Sequence, residues 1–139
     1  MNAIGKKVIQ QLGLALSLSS VTLLTSLAFT AQAKDGDNRV IRTGNCSGTS
    51  DWKLKAKSDN GRIEVEFEVD QNVVGRTWSN VIRNNGRVIF TGNRVTQPPS
   101  GSYSIEFLTN NLPGNDVITA TARNLSTGEL CSGSVVFSF

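Results

Sequence analysis

Trp52-Lys53-Leu54-Lys55-Ala56-Lys57-Ser58-Asp59-Asn60-Gly61-Arg62-Ile63-Glu64-Val65-Glu66-Phe67-Glu68-Val69-Asp70 is two runs of strict alternation joined by one dipeptide. In the second run Ile63, Val65, Phe67 and Val69 share one face, and Glu64, Glu66, Glu68 and Asp70 share the other. In the first, Lys53, Lys55 and Lys57 alternate with Trp52, Leu54 and Ala56. A period of two marks half-buried strands. Asn60-Gly61 tolerates the positive φ values of a two-residue type I′ turn, so the runs fold back on each other as a hairpin. The turn then sets the register: Asp59 faces Arg62, Lys57 faces Glu64, Lys55 faces Glu66 and Lys53 faces Glu68. On the other side Ala56, Leu54 and Trp52 face Val65, Phe67 and Val69. Every pair is charge-complementary or apolar, and a slip of one residue would set lysines against the apolar row.

The same grammar continues to the C-terminus without any helical period. Asn85-Gly86 predicts a second hairpin joining Arg76–Asn84 to Arg87–Thr96, with Ile82 opposite Ile89, Trp78 inward and a bulge near Gly92. Gln97-Pro98-Pro99-Ser100-Gly101 is a loop, followed by a strand through Tyr103, Ile105 and Phe107 and a turn-rich stretch from Asn110 to Asn115. Asp116–Arg123 and Glu129–Phe137 form the last pair, with Ile118, Ala120, Ala122, Cys131, Val135 and Phe137 inward. A short strand at Val40–Cys46 brings the total to about eight. Short strands that each bury one face require two sheets stacked face to face, so the expected fold is an all-β, immunoglobulin-like antiparallel β-sandwich.

The N-terminus reads as an export signal. Lys6 and Lys7 precede an apolar stretch from Val8 to Thr30, and Ala31-Gln32-Ala33 offers the small residues of a cleavage site before Lys34. Gln10, Gln11 and repeated Ser and Thr make that stretch a poor permanent membrane span. Removing 33 of the 139 residues leaves 106, one domain over 34–139. Taking Lys6 and Lys7 from the 14 basic residues leaves 12 against 11 acids, which does not indicate a nucleic-acid or membrane surface. Cys46 and Cys131 are the two cysteines. In an oxidising compartment they are expected to pair, closing the domain by a disulfide. The expected location is therefore secreted or periplasmic.

Histidine is absent, which removes the usual general base and the commonest zinc ligand. With both thiols paired, no cysteine nucleophile remains. The acids Glu64, Glu66, Glu68 and Asp70 stand roughly 7 Å apart along a straight strand, whereas calcium needs six to eight oxygens from a folded loop. They read as a solvated face paired with Lys53, Lys55 and Lys57. Asp35, Asp37, Asp51, Asp59 and Asp116 match no metal loop, although calcium at an edge assembled from separate loops stays open. No metal, cofactor or catalytic residue is assigned, and the domain is read as no enzyme.

The one segment with the makings of a recognition surface is the stiff loop Pro98, Pro99, Ser100, Gly101, with Tyr103 at its base. A stiff crossing between sheets would use the same residues. Cys46, Trp52 to Lys55, Arg62 to Asp70, Trp78, Asn85-Gly86, Ser100 to Ser102, Asp116 to Arg123 and Thr127 to Cys131 together resemble a group of small secreted bacterial proteins of uncharacterised function. The resemblance implies export, a fibronectin-type or immunoglobulin-like sandwich and a disulfide, and transfers no functional residue. Asn124-Leu125-Ser126-Thr127-Gly128 is similar to the Asn-Pro-Thr-Thr-Gly loop of chagasin-type protease inhibitors, but it lacks the proline and reads as a hairpin turn. Two functional expectations follow. The first is a non-enzymatic binding module for an envelope or extracellular protein or glycan; the second is a secreted protease inhibitor presenting Gln97 to Tyr103 or Ser126 to Glu129.

Overall fold

The structure, a computed structural model, describes residues 38–139. The export-signal reading and the acids Asp35 and Asp37 lie outside the described residues. Eight strands follow in order: β1 (Arg39–Asn45), β2 (Asp51–Asp59), β3 (Arg62–Asp70), β4 (Thr77–Asn84), β5 (Arg87–Val95), β6 (Ser102–Asn110), β7 (Asp116–Asn124) and β8 (Leu130–Phe137). They form two antiparallel sheets, β1-β2-β3-β6 (sheet A) and β5-β4-β7-β8 (sheet B). Sheet B has the C′-C-F-G order of immunoglobulin-like sandwiches, β2, β3 and β6 stand opposite it as A, B and E, and β1 is an added edge strand. Among the described residues no helix is long and apolar enough to cross a membrane.

The first hairpin has the expected register throughout, from Asp59 opposite Arg62 to Trp52 opposite Val69. Asn60 and Gly61 take φ of 48° and 78°, the left-handed pair a type I′ turn requires. Leu54, Ala56, Ile63, Val65, Phe67 and Val69 are fully buried. On the outer face Lys53 bridges Glu68 at 2.9 Å and Glu66 at 3.4 Å, and Lys55 bridges Glu64 at 3.2 Å and also Glu66. The ion pairs thus run diagonally as well as straight across. Glu66, flanked by both lysines, is held below the ordinary carboxylate value chiefly by its hydrogen bond from Lys55.

The second hairpin departs from the expectation in one respect. Asn84 pairs with Arg87 and Arg83 with Val88, but Ile82 then pairs with Phe90 rather than Ile89. The bulge falls at Ile89, not near Gly92. Strict alternation from Asn85-Gly86 would turn Phe90 outward. The extra residue brings it inward instead, where it stacks on Phe107 at 5.6 Å between centroids. The shift also places Gly92 inward, where its carbonyl accepts from the Asn80 amide at 3.2 Å.

Trp78 lies fully buried on β4, and Trp52 packs at the margin of the core between β1 and β8. Its ring fills the space a Cβ would need at Gly44 and at Gly133, so both positions carry glycine for close approach. Tyr103 crosses the interior from sheet A, donating its hydroxyl to Asn80 Oδ1 of sheet B at 2.6 Å. Cys46 and Cys131 are joined, tying the end of β1 to β8 across a sequence separation of 85. The bond clamps the two sheets together along one side of the sandwich.

Candidate functional site

Four connections meet at the end of the sandwich that holds the disulfide: residues 46–50, 71–76, 96–101 and 125–129. Each is held to a neighbour by hydrogen bonds. The second and third interlock most tightly. Thr96 accepts from Gly75 N through its carbonyl at 2.9 Å and from Arg76 N through its hydroxyl oxygen at 2.9 Å. The same hydroxyl donates to Val73 O at 2.6 Å, and Gln71 N donates to Gly101 O at 3.1 Å. Gly101 sits at φ 75° against the backbone of Asn72 and Val73, where no Cβ would fit.

Gln71 is the hub of the end. Its Oε1 accepts from Trp78 Nε1 at 3.0 Å and from Asn124 Nδ2 at 3.3 Å, linking 71–76 to the core and to the β7–β8 turn. Asn124 Oδ1 in turn accepts from Ser126 N and Thr127 N, the side-chain-to-backbone pattern that favours asparagine at turns. Glu129 closes the ring: Ser50 N and Ser50 Oγ donate to its two carboxylate oxygens at 2.8 and 3.0 Å. Between these loops lies an open groove of about 430 Å3 lined by Ser47, Gly48, Thr49, Gln71, Thr127, Gly128 and Glu129.

With their polar groups turned inward, the loops present apolar side chains to solvent. Val73 is 42% exposed, Val74 49% and Leu125 57%. Pro98, Pro99 and Ser100 are exposed beside them, with a cis peptide between the prolines. Gln97 N donates to Ser102 O and Gly101 N to Gln97 O, closing the proline loop as a compact turn. Of the five residues expected to form the binding loop, Pro98, Pro99 and Ser100 face outward. Gly101 and Tyr103 are buried and support it. Burial pushes the Tyr103 phenol well above its ordinary value, with the Asn80 hydrogen bond and then the nearby charge of Arg94 pulling partly the other way.

The sequence reading passed over Val73-Val74, Gln71 and Thr96. A signal was present: Val73 and Val74 are two adjacent apolar residues between the turn formers Asn72 and Gly75, where polar ones are the rule. Beside the loop end, on the outer face of sheet A, a second groove of about 420 Å3 brings Asp51, Asp70, Glu68 and Lys53 together. Asp51 and Asp70 are cross-strand partners of like charge, while Lys53 is engaged by Glu68. Among the described residues no group of three or more His, Cys, Asp or Glu side chains could hold a metal ion. In comparisons with known proteins, no family model, curated sequence or solved structure matches this chain.

Proposed function

We propose that the domain is a secreted, non-enzymatic binding module of the cell envelope or medium, and that it recognises an envelope or extracellular partner through the loop end. The observation that carries this reading is the combination of interlocked backbone and outward apolar side chains at Val73, Val74, Pro98, Pro99 and Leu125. Loops whose polar groups are satisfied internally lose little entropy on binding, and clustered exposed apolar groups gain most from being covered. The 71–76 and 125–129 connections occupy the places of the B–C and F–G loops, which variable immunoglobulin domains use for recognition; that parallel is an analogy of fold. The disulfide supports an oxidising compartment, and the lack of histidine supports a non-catalytic role.

The test is capture from envelope extract by immobilised protein, comparing the native chain with Val74→Asp and with Lys57→Asp on sheet A. The reading expects the first change to abolish capture and the second to leave it intact, across a range of salt. Equal capture by all three proteins would refute it. A second reading, a secreted protease inhibitor, draws on the stiffness of Pro98 and Pro99. Titration against serine and cysteine proteases separates the two, because a binding module leaves every enzyme active.

A further inference from the structure

We propose that the free edge of β8 is a strand-addition site for an extended peptide segment carrying acidic side chains. The site is distinct from the loop end and does not depend on it.

Hydrogen-bond parity shows which backbone groups are open. Asn124 N donates to Glu129 O, and the β7–β8 register runs unbroken from Arg123 opposite Leu130 to Asp116 opposite Phe137. In an antiparallel pair, hydrogen-bonded and non-bonded positions alternate. Residues 129, 131, 133, 135 and 137 therefore bond to β7, and the N–H and C=O groups of Leu130, Ser132, Ser134 and Val136 point away from it. Leu130 is used: its carbonyl accepts from Ser47 N at 2.7 Å and its N–H donates to Ser47 Oγ at 2.9 Å. At the far end Ser138 O accepts from Asn38 Nδ2 at 2.7 Å. Ser132, Ser134 and Val136, between those two ties, have no partner among the described residues on the edge side.

The other three edges carry charged side chains and this one does not. β1 carries Arg39 and Arg42, β5 carries Arg87 and Arg94 with a bulge, and β6 carries Glu106; such charges and bulges oppose edge-to-edge pairing. β8, Leu-Cys-Ser-Gly-Ser-Val-Val-Phe, has no charge and no proline, and both Leu130 and Val136 are more than half exposed. An unprotected edge is the docking site for an extended segment, whose main chain supplies affinity and whose alternate side chains supply specificity.

Charge selects the occupant. β1 runs beside β8, tied to it at one end by Asn38 and Ser138 and at the other by the disulfide. Midway stands Arg42, cross-strand partner of the buried Leu54 and so on the face of β1 that looks toward sheet B, yet exposed at the margin. A strand added to β8 passes beneath this guanidinium, which favours carboxylates and disfavours a second copy of β1 with its own arginines.

The probe is a synthetic peptide of alternating Val and Thr with Asp at its centre, where it would lie under Arg42, compared with a twin carrying Lys in place of Asp. On binding, amide exchange at Ser132, Ser134 and Val136 is expected to slow by about tenfold or more, with the acidic peptide binding at least ~5-fold tighter than the basic one. Arg42→Glu is expected to reverse that preference. Ser134→Pro is expected to abolish binding without touching the β7 ladder, since the lost N–H faces the edge. If that variant does not fold, a peptide methylated at alternate backbone nitrogens makes the same test from the ligand side. Unchanged exchange at the three residues, or equal binding of both peptides, overturns the proposal. So does concentration-dependent dimerisation that protects the same residues without peptide.

Discussion

Tyr103 is the chain's single tyrosine, so its ionisation can be followed without interference. The ring is 6% exposed, tilted against Trp78 at 6.5 Å, and its hydroxyl donates to the fully buried Asn80. Burial raises its pKa above the unperturbed 10.0. The native state therefore holds the phenol proton more tightly than the unfolded chain. Its contribution to stability is fully present below about pH 10, and it is lost as pH rises through the unfolded value toward the folded one. Between those two values the slope approaches one proton, about 1.4 kcal/mol per pH unit. Against a typical 5–15 kcal/mol for a domain, that loss is large but survivable.

A near-ultraviolet phenolate titration tests this. A free tyrosine is about nine-tenths ionised at pH 11; the folded protein is expected to show clearly less phenolate there. After a jump to higher pH, phenolate should grow in at the rate of unfolding followed by tryptophan fluorescence. Tyr103→Phe leaves Asn80 Oδ1 without its donor, costing about 1–3 kcal/mol at neutral pH, and should flatten the alkaline loss. A fast, reversible titration near pH 10 with the near-ultraviolet circular dichroism intact would refute the reasoning, because it would put the phenol in contact with water.

Replacing Cys46 and Cys131 by alanine opens a loop closed across 85 positions, which in the chain-entropy model costs about 4.5 kcal/mol; denaturant melts of the oxidised and mutant proteins measure it, and a loss under about 1 kcal/mol would contradict the model. Gly101→Ala forces a Cβ into the backbone of the 71–76 loop at positive φ and is expected to destabilise by about 2–4 kcal/mol while weakening recognition at the loop end, as melts and extract capture would show. Glu66 is held below the ordinary 4.5 by Lys55 and then Lys53, so its share of stability is present above that value and lost as pH falls through the lowered one. Carboxyl chemical shifts should show Glu66 titrating below 4.5, and Lys55→Met should move it upward.

Where the sequence carries two independent signals for the same pairing, the fold was legible. Lys53 to Lys57 against Glu64 to Glu68 agree with Asn60-Gly61, and the observed register is the only one satisfying both. At the second hairpin the turn signal stood alone. Asn85-Gly86 set the first two pairs, but nothing local says that Phe90 must reach Phe107, a residue brought near only by the stacking of sheets. Tyr103 stands at the base of the exposed loop in sequence, and alternation along β6 turns it inward. The loop end was least legible. Gln71, Thr96 and Asn124 matter there through side-chain hydrogen bonds that join separate connections of the chain, and such bonds leave no periodicity.

The edges follow from a finer reading of the same alternation. An arginine in an inward row is tolerable only where its guanidinium can leave the core sideways, which means at an edge. Val40-Ile41-Arg42 breaks the apolar row of β1, and Phe90-Thr91-Gly92-Asn93-Arg94 breaks that of β5; both are edge strands. The row Cys131, Gly133, Val135, Phe137 carries no charge, as in the central strand β3 and the edge strand β6, and β8 alone of the four edge strands carries no charge on either face. A strand with the composition of an interior position at the end of a sheet is the pattern expected of one that is completed by a partner. The edge-side backbone groups of Ser132, Ser134 and Val136, which have no partner among the described residues, mark where that partner's backbone would lie.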